Sequence, residues 1–277
     1  MINIFILNWN SAKATACLMA TISQSKFRNF RVLLIHNASN DEDEIISIFK
    51  QYQNELEMHL IINSTNYGYA GGNNRGLEYL QSNDLEGDLL ILNPDITLEL
   101  NTIGHLIDAK QQTNAGAVMV RTFDDKGAHL YDRIELNDFK QNFKYSSSHI
   151  CDSDYAAGSC LLLDRNTINN IGLFDDAYFM YWEEVDLSLR IKKYGRRIIS
   201  VTNTFITRKT NPYDRSVGSI FYLVRNSFLL KKRFQLSNIK HCYYLIHLFL
   251  FASKQLLLKG SFLSLRNFFR GLWSGIS

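Results

Sequence analysis

The sequence predicts an α/β fold, a mixed, mainly parallel sheet with helices on both faces, followed by a basic, amphipathic helical tail. Short apolar runs alternate with helical segments through the first half of the chain. The balance of charge changes sign near residue 215. With 277 residues, 46% of them hydrophobic, the chain is long enough to bury one large core.

Four apolar runs in the first hundred residues have the length and composition of buried strands, and each ends in polar residues. They are INIFILN, FRVLLIHNAS, MHLIINST and DLLILNPD. Between them, TACLMATISQS, DEDEIISIFKQYQNE and GGNNRGLEYLQS carry apolar residues at helical spacing. Ligands of parallel sheets bind at the carboxyl ends of the strands. We therefore expect the four polar strand ends to share one rim: residues 8–10, 36–41, 63–74 and 93–95.

Each rim segment has a purely structural interpretation beside a ligand-binding one. ASNDEDE, residues 38–44, can simply cap the helix at 41–53. NYGYAGGNNRG, residues 66–76, predicts a glycine-rich loop before a helix, where backbone amides approach a phosphate. It matches neither the dinucleotide-binding spacing nor a P-loop. Asn93-Pro94-Asp95 can be only a turn, yet it delivers a carboxylate to the rim.

A second acidic cluster lies at the start of a predicted helix, residues 183–194. Glu183 and Glu184 occupy its first turn, directly after the aromatic run AYFMYW. Carboxylates behind an aromatic wall favour a general-base site, although the helix dipole alone also favours acids at this position. Asp186 and Arg190 are spaced for a surface ion pair.

The tail differs from the rest of the chain in charge and composition. No acidic residue follows Asp214, whereas ten Lys and Arg do, so residues 215–277 carry +10 and residues 1–214 carry −7. We predict a domain over 1–214 and a helical tail over 215–277. The longest uncharged apolar run, about 242–251, is too short to span a membrane. The tail suits an anionic membrane surface, or a helical hairpin packed on the domain with a solvated basic face.

The remaining features favour a cytoplasmic protein on the inner face of the cell membrane. The N-terminus lacks the basic flank and small-residue cleavage site of a signal peptide. Four widely spaced cysteines, with no CxxC pair and no histidine cluster, disfavour a disulfide framework and a zinc site. We expect no nucleic-acid partner, and the sequence leaves the oligomeric state open.

Together these segments resemble the inverting family 2 glycosyltransferases, in particular the bacterial rhamnosyltransferase-like branch. The resemblance covers about residues 1–233 and rests on the order of ILNWN, LIHNASND, NSTNYGYAGGNNRG, LLILNPD, AAGSCLLLDR, IGLFDDAYFMYWEEVDLSLR and YLVRNSF. It implies a GT-A type, Rossmann-like fold, a nucleotide-sugar donor and a divalent metal, Mg²⁺ or Mn²⁺.

The resemblance also implies roles for individual residues. Asp95 corresponds to a metal ligand, and Glu184 to the catalytic base, with Glu183 as the next candidate. The implied donor-binding residues lie along the rim: Asn8, Trp9, Asn10, His36, Asn37, Asn66, Gly68, Gly71, Gly72, Asn74, Asn93 and Asp95.

Three positions depart from the family pattern. His36 stands where relatives usually have Asp, and Glu184 is one methylene longer than the usual Asp. The late segment VTNTFITRKTNPYDRS lacks the His that many relatives carry there. Arg208 or Lys209 is a candidate to contact the diphosphate instead, unless both are solvated loop charges.

We therefore predict an inverting hexosyl- or rhamnosyltransferase. The first choice of donor is dTDP-rhamnose, with UDP-sugars as the other class, and the expected acceptor is a polyprenyl-linked glycan precursor of a surface polysaccharide such as O-antigen or capsule. One alternative is a sugar-phosphate nucleotidyltransferase, although LNWNSAKA lacks the Gly-, Arg- and Lys-bearing signature expected after the first strand. The other is a catalytically degenerate transferase that scaffolds glycan assembly.

Overall fold

The computed structural model describes residues 1–209, 215–260 and 262–276. All four strands predicted for the first half are present. They are β1 (Ile2–Asn8), β2 (Phe30–His36), β3 (Met58–Ile62) and β4 (Asp88–Leu92). β1 lies between β2 and β4, β2 pairs with β3, and every one of these pairings is parallel. The polar residues that follow these strands therefore lie at one edge of the sheet.

The second half of the chain extends this sheet and adds a hairpin. The further strands are β5 (Ile96–Leu98), β6 (Ala117–Asp124), β7 (His129–Tyr131), β8 (Arg133–Asn137), β9 (Lys140–Lys144), β10 (Ile150–Asp152), β11 (Cys160–Leu163) and β12 (Ile198–Arg208). β11 runs antiparallel between β4 and β6, and β12 is parallel to β6. β8 and β9 form a separate two-stranded sheet. The mixed, mainly parallel sheet is confirmed.

Helices cover both faces of the sheet, as predicted. They are α1 (Ala12–Ser23), α2 (Glu42–Tyr52), α3 (Gly68–Ser82), α4 (Thr102–Thr113), α5 (Arg165–Ile171) and α6 (Glu183–Lys193). α1, α2 and α4 bury their apolar residues against one face, and α3, α5 and α6 against the other. The strands supply both cores because successive side chains point to opposite faces: Ile4 enters the first core and Phe5 the second.

The helix predicted from Gly71 begins three residues earlier, so most of the glycine-rich segment is helical and not the predicted loop. α3 already begins at Gly68. A β-carbon on Gly72 would lie 2.6 Å from a methyl carbon of Leu7, and one on Gly76 would lie 2.9 Å from Cδ1 of Ile35. These two glycines therefore let α3 approach β1 and β2 closely, and this packing outweighs their low helix propensity.

The predicted helical tail consists of α7 (Arg215–Phe234), α8 (Asn238–Lys259) and α9 (Leu263–Ile276). Leu230 of α7 is buried in the same core as α6, whereas Val224 packs with Phe268 of α9 in a small separate core. α7 thus contacts both the sheet domain and the last two helices. None of the helices in the described ranges combines the length and apolarity needed to cross a bilayer. The predicted division at 214/215 borders residues 210–214, outside the described residues, and stays a prediction.

Gly271→Ala tests the close packing of α9 on α7. A β-carbon at Gly271 would lie 2.7 Å from the carbonyl oxygen of Phe221 and 2.9 Å from Cβ of Val224. We expect the substitution to lower the free energy of unfolding by about 1–3 kcal/mol, because backbone must move to admit the methyl group. Urea unfolding measures the change.

Gly104→Ala is the matched control for this prediction. Gly104 lies in α4, and a β-carbon there would meet no atom within 4 Å. The same substitution should therefore raise the free energy of unfolding by roughly 0.5–1 kcal/mol through helix propensity. Stabilisation by both substitutions would contradict the tight α7–α9 contact.

Candidate active site

A network of side-chain hydrogen bonds joins the ends of β1 and β2. Asn8 Nδ2 donates to Asp41 Oδ1 at 2.9 Å, and Ser39 Oγ donates to the same oxygen at 2.6 Å. The backbone N–H of Ala12 donates to Asp41 Oδ2 at 2.8 Å. Burial raises the pKa of Asp41, but the hydrogen bonds from Ser39, Asn8 and Ala12 outweigh it and lower that pKa. Asp41 therefore ties the start of α1 to the loop after β2, and its side chain makes no capping bond in α2.

The buried amide of Asn37 organises the loop that follows β3. Its Nδ2 donates to Asn66 Oδ1 at 2.9 Å and to the carbonyl oxygen of Gly68 at 3.1 Å. Its Oδ1 accepts from Asn63 Nδ2 at 3.0 Å and from the backbone N–H of Tyr67 at 3.2 Å. The predicted donor-binding residues Asn37, Asn66 and Gly68 are thus brought together.

The other predicted rim residues differ in how far a ligand can reach them. Trp9 is 56% exposed, and Asn10 is exposed with a φ of +48°. His36 is fully buried, and its Nε2 accepts from the backbone N–H of Ser39 at 3.2 Å. A ligand at this rim would contact the Trp9 ring directly, whereas the buried His36 only supports the loop that follows β2.

Two of the predicted donor-binding residues contact the acidic segment before α6. Asn74 Nδ2 donates to Asp176 Oδ1 at 2.6 Å and to the carbonyl oxygen of Phe174 at 2.8 Å. A β-carbon on Gly71 would lie 3.4 Å from the same Asp176 oxygen. These positions link α3 to the neighbouring 3₁₀ turn, Asp176–Tyr178.

Asp95 lies in the turn after β4, next to the end of the late strand β12. β5 pairs with that strand, so Ile96 stands opposite Arg208. The backbone N–H of Lys209 donates to the carbonyl oxygen of Asp95 at 3.2 Å. Both cations expected to lie near the diphosphate are therefore neighbours of Asp95. Within the described parts of the chain, the buried Nε of Arg208 has no hydrogen-bond partner.

A cleft of about 690 Å³ opens beside this turn. Asn93 and Arg208 line it at the sheet edge, and His247 and Leu248 of α8 line it on the tail side. Much of the remaining wall is aromatic: Tyr69, Tyr131, Phe139, Tyr155, Trp182 and Tyr244. The hairpin β8–β9 and the tail therefore complete a cavity that begins at the sheet.

Glu183 and Glu184 lie in this cleft, at the first turn of α6 as predicted. Glu183 is only 4% exposed, and its Oε2 has no hydrogen-bond partner within the described ranges. Burial, together with the adjacent carboxylate of Glu184, raises the pKa of Glu183 well above its ordinary value. The raised pKa favours the neutral form of Glu183, and Glu184 is the more accessible of the two carboxyl groups, which makes it the candidate base.

Tyr69 and Gly158 lie beside the Glu184 carboxylate, and neither was among the site residues predicted from the sequence. A β-carbon on Gly158 would overlap Oε1 of Glu184, and Tyr69 Oη donates to the carbonyl oxygen of Gly158 at 3.1 Å. Burial raises the pKa of Tyr69 well above its ordinary value, and the carboxylates of Glu184, Glu183 and Asp95 raise it further. The Tyr69 phenol therefore lies near enough to the carboxylates of Asp95 and Glu184 for both to act on its pKa. The sequence had pointed to this region only through the motif AAGSC, residues 156–160, which contains Gly158.

Asp186 and Arg190 do not form the surface pair that their spacing suggested. Asp186 is fully buried and accepts from Arg190 Nε at 2.7 Å, from Arg233 Nη1 at 2.7 Å and from Tyr178 Oη at 3.3 Å. A buried carboxylate needs several such donors to remain ionised. The pair is therefore part of a buried network that joins α6 to α7.

The donor set at Asp95 suits a metal ion that arrives with a diphosphate. Among the residues the structure describes, no three His, Cys, Asp or Glu side chains are grouped to hold an ion by themselves. Mg²⁺ is commonly held by one or two carboxylates together with substrate phosphates and water. The single Asp95 carboxylate fits that arrangement and does not fit a preformed protein cage.

Solved structures with this fold bind nucleotide sugars. S. aureus TarS 1–349 in complex with UDP-GlcNAc has a TM-score of 0.67 and 13% identity, covering 99% of this chain and 80% of that one. The mannosyltransferase PcManGT from Pyrobaculum calidifontis, in complex with GDP-Man and Mn²⁺, has a TM-score of 0.62 and 12% identity, covering 84% and 64%. At these identities the likeness shows the fold alone, a GT-A-like α/β architecture.

Two relatives are similar in sequence. The low-salt glycan biosynthesis hexosyltransferase Agl10 of Haloferax volcanii is 25% identical over 202 residues, 69% of this chain and 62% of its own length. The N-acetylglucosaminyl-diphospho-decaprenol L-rhamnosyltransferase of Mycobacterium tuberculosis is 25% identical over 207 residues, 64% and 66%. The chain thus spans less than two thirds of either relative. Residues 4–172, more than half of the chain, match the family model described as glycosyl transferase family 2, and the chain belongs to that family.

Proposed function

We propose that the protein transfers a hexose or deoxyhexose from a nucleotide donor to an acceptor hydroxyl, with inversion at the anomeric carbon. The observation that carries the proposal is the cleft that Glu184 and Arg208 both line, with Asp95 in the turn next to Arg208. A single-displacement transfer needs a carboxylate base on the acceptor side and positive charge on the leaving-group side. In this cleft Glu184 would be the base, and Arg208 would supply the positive charge.

The donor would lie along the rim and end at Asp95. The exposed Trp9 and the amide-rich loops after β2 and β3 offer a surface for the base and ribose. Arg208 and Lys209 would contact the diphosphate beside Asp95. When bound by Asp95 and the diphosphate, Mg²⁺ or Mn²⁺ would offset the charge that develops on the leaving group.

Glu184 would take the proton from the acceptor hydroxyl as it attacks the anomeric carbon. The absence of a β-carbon at Gly158 leaves room for its carboxylate, and the raised pKa of the buried Glu183 favours the neutral form of that neighbouring carboxyl. Most of the rate acceleration would come from holding both substrates in line for attack.

The donor and acceptor classes rest on the relatives. One relative is named as a rhamnosyltransferase that acts on a diphospho-decaprenol-linked sugar, and the other as a glycan hexosyltransferase. We propose dTDP-rhamnose or a UDP-sugar as donor and a polyprenyl-linked precursor of a surface glycan, such as O-antigen or capsule, as acceptor. The aromatic wall of the cleft suits the apolar faces of sugar rings.

We further propose that the tail binds an anionic membrane surface at the cytoplasmic face of the cell membrane. Exposed apolar residues form a stripe along α8 and another along α9: Ile239, Tyr243, Ile246, Leu250 and Leu257, then Phe262, Phe269, Trp273 and Ile276. Leu257 is 85% exposed and Trp273 is 81% exposed. The formal charges that α7, α8 and α9 themselves carry are all positive, because no acidic residue follows Asp214.

Glu184→Gln tests the assignment of the base. The amide cannot accept the proton, so we expect kcat for sugar transfer to fall by roughly 10²–10⁴-fold while nucleotide affinity stays near that of the wild type. Glu183→Gln makes the same change one residue earlier, at the more buried carboxyl, so its loss should be much smaller. If the Glu183 variant is inactive and the Glu184 variant is active, Glu183 is the base and Glu184 is not.

Asp95→Ala tests the metal and donor site. In thermal-shift titrations with UDP and dTDP, we expect the variant to lose most of the stabilisation that Mg²⁺ or Mn²⁺ adds, because the protein ligand of the ion is gone. Asp108→Ala, at an exposed position of α4, is the control. Affinity that is unchanged with and without metal would rule out a metal role for Asp95.

Leu257→Ser and Trp273→Ser test the membrane face. Each removes an exposed apolar side chain worth about 1.5–3 kcal/mol when buried, so vesicle binding should weaken about tenfold or more for each. Co-sedimentation with vesicles containing phosphatidylglycerol measures this, with phosphatidylcholine vesicles for comparison. Tyr194→Ser, at an exposed site on α6's far end, is the control. Undiminished binding by both tail variants would mean that the stripes do not face the membrane.

A further inference from the structure

The loop that leads into the candidate base has an unusual backbone. Phe179, Tyr181 and Trp182 have φ values of +58°, +65° and +73°, and none of the three is glycine. Residues with a β-carbon rarely adopt this region, and they do so where the surroundings hold them there. Glu184 follows Trp182 by two residues, so the conformation of this loop decides where its carboxylate lies.

One side chain from α7 holds most of this loop. Asn226 is fully buried, and its Nδ2 lies 2.7 Å, 2.8 Å and 2.9 Å from the carbonyl oxygens of Tyr178, Met180 and Tyr181. Its Oδ1 accepts from Arg225 Nη1 at 3.0 Å, which fixes the orientation of the amide. A single side-chain amide therefore bonds to three carbonyl oxygens of the loop.

Two further contacts complete the anchoring. The backbone N–H of Ala70 donates to the carbonyl oxygen of Phe179 at 3.1 Å, so all four carbonyls from 178 to 181 have donors outside the loop. Trp182 Nε1 donates to the carbonyl oxygen of Leu223, also on α7, at 3.1 Å. The backbone N–H of Asp186 donates to the carbonyl oxygen of Trp182 at 2.8 Å, which is the first helical hydrogen bond of α6. Movement of the loop would therefore move the first turn of α6.

We propose that Asn226 is a positioning residue for the catalytic base. It acts through the carbonyls of the 178–181 loop and sets where the Glu184 carboxylate meets the acceptor hydroxyl. The inference rests on the proposed function, since it presumes that Glu184 is the base. It also makes α7, which begins the predicted tail, part of the catalytic apparatus.

Asn226→Asp is the test, because it keeps the size of the side chain and replaces the donating amide by an acceptor. Carboxylate oxygens cannot bond the three carbonyls and repel them, so the loop should leave its position. We expect kcat for release of nucleoside diphosphate from dTDP-rhamnose or UDP-glucose, with acceptor present, to fall about 100-fold or more. KM for the donor should stay within about threefold, because the donor rim is untouched.

Hydrogen–deuterium exchange supplies a readout that needs no turnover. Amide exchange in the peptide around residues 178–184 should quicken in Asn226→Asp, whereas exchange in β1 and β2 should stay as in the wild type. Ser227→Ala is the matched control on the same helix. Ser227 is also buried, but its Oγ donates to the carbonyl oxygen of Val224 and lies 2.8 Å from His241 Nε2, away from the loop. This variant should lose thermal stability and keep its kcat.

The possible outcomes separate positioning from simple stability. Unchanged kcat in a folded Asn226→Asp protein, or an equal loss of kcat in Ser227→Ala, would overturn the proposal. If Asn226→Asp does not fold, Asn226→Ser keeps a single hydroxyl donor for the three carbonyls and should show the same pattern with a smaller loss of kcat. If the wild type turns over neither donor, the proposed function fails, and the exchange data alone decide whether Asn226 holds the loop.

Discussion

The part of the cleft that contains Glu183 and Glu184 depends on the hydrogen bonds to the buried carboxylate of Asp186. Its three donors come from different elements: Arg190 from α6 itself, Arg233 from α7 and Tyr178 from the 3₁₀ turn. Removing one partner of a buried charge is costly, because the remaining charge stays desolvated and uncompensated. These three elements must therefore keep one arrangement, and Glu184 is held within it.

The buried polar groups at the rim and those in the cleft differ in how far other protein groups bond to them. At the rim, the buried amides of Asn8 and Asn37 bond to neighbouring loops, whereas Nδ1 of the buried His36 has no hydrogen-bond partner in the described ranges. In the cleft, Glu183 Oε2 and Arg208 Nε are buried without hydrogen-bond partners in the described ranges. Buried polar groups without partners are rare in folded proteins and call for an explanation such as a ligand or water. Glu183 Oε2 and Arg208 Nε are therefore candidates to bond a molecule that enters the cleft and brings polar atoms with it.

The sequence predicted the sheet and its covering helices because these follow from local periodicity and from polar residues at strand ends. It misjudged the glycine-rich segment, since helix propensity says nothing of how Gly72 and Gly76 fit against β1 and β2. The spacing of Asp186 and Arg190 was informative, but the burial of the pair depends on Arg233, 47 residues after Asp186. The contact of Tyr69 with Gly158 spans 89 residues, so no window of sequence could reveal it. What remained hidden is the part of the site made by contacts between distant segments.

The two faces of α8 constrain which acceptors the proposed membrane placement allows. Leu248 is buried and lines the cleft, while Ile246 and Leu250 belong to the exposed stripe on the other side of the helix. The cleft and the bilayer surface would then be separated by about one helix diameter, roughly 10–12 Å. A sugar attached directly to a lipid diphosphate lies within such a distance of the headgroups, whereas the far end of a long glycan does not. A tail that both anchors the protein and walls the cleft therefore favours an acceptor whose reacting sugar is close to its lipid.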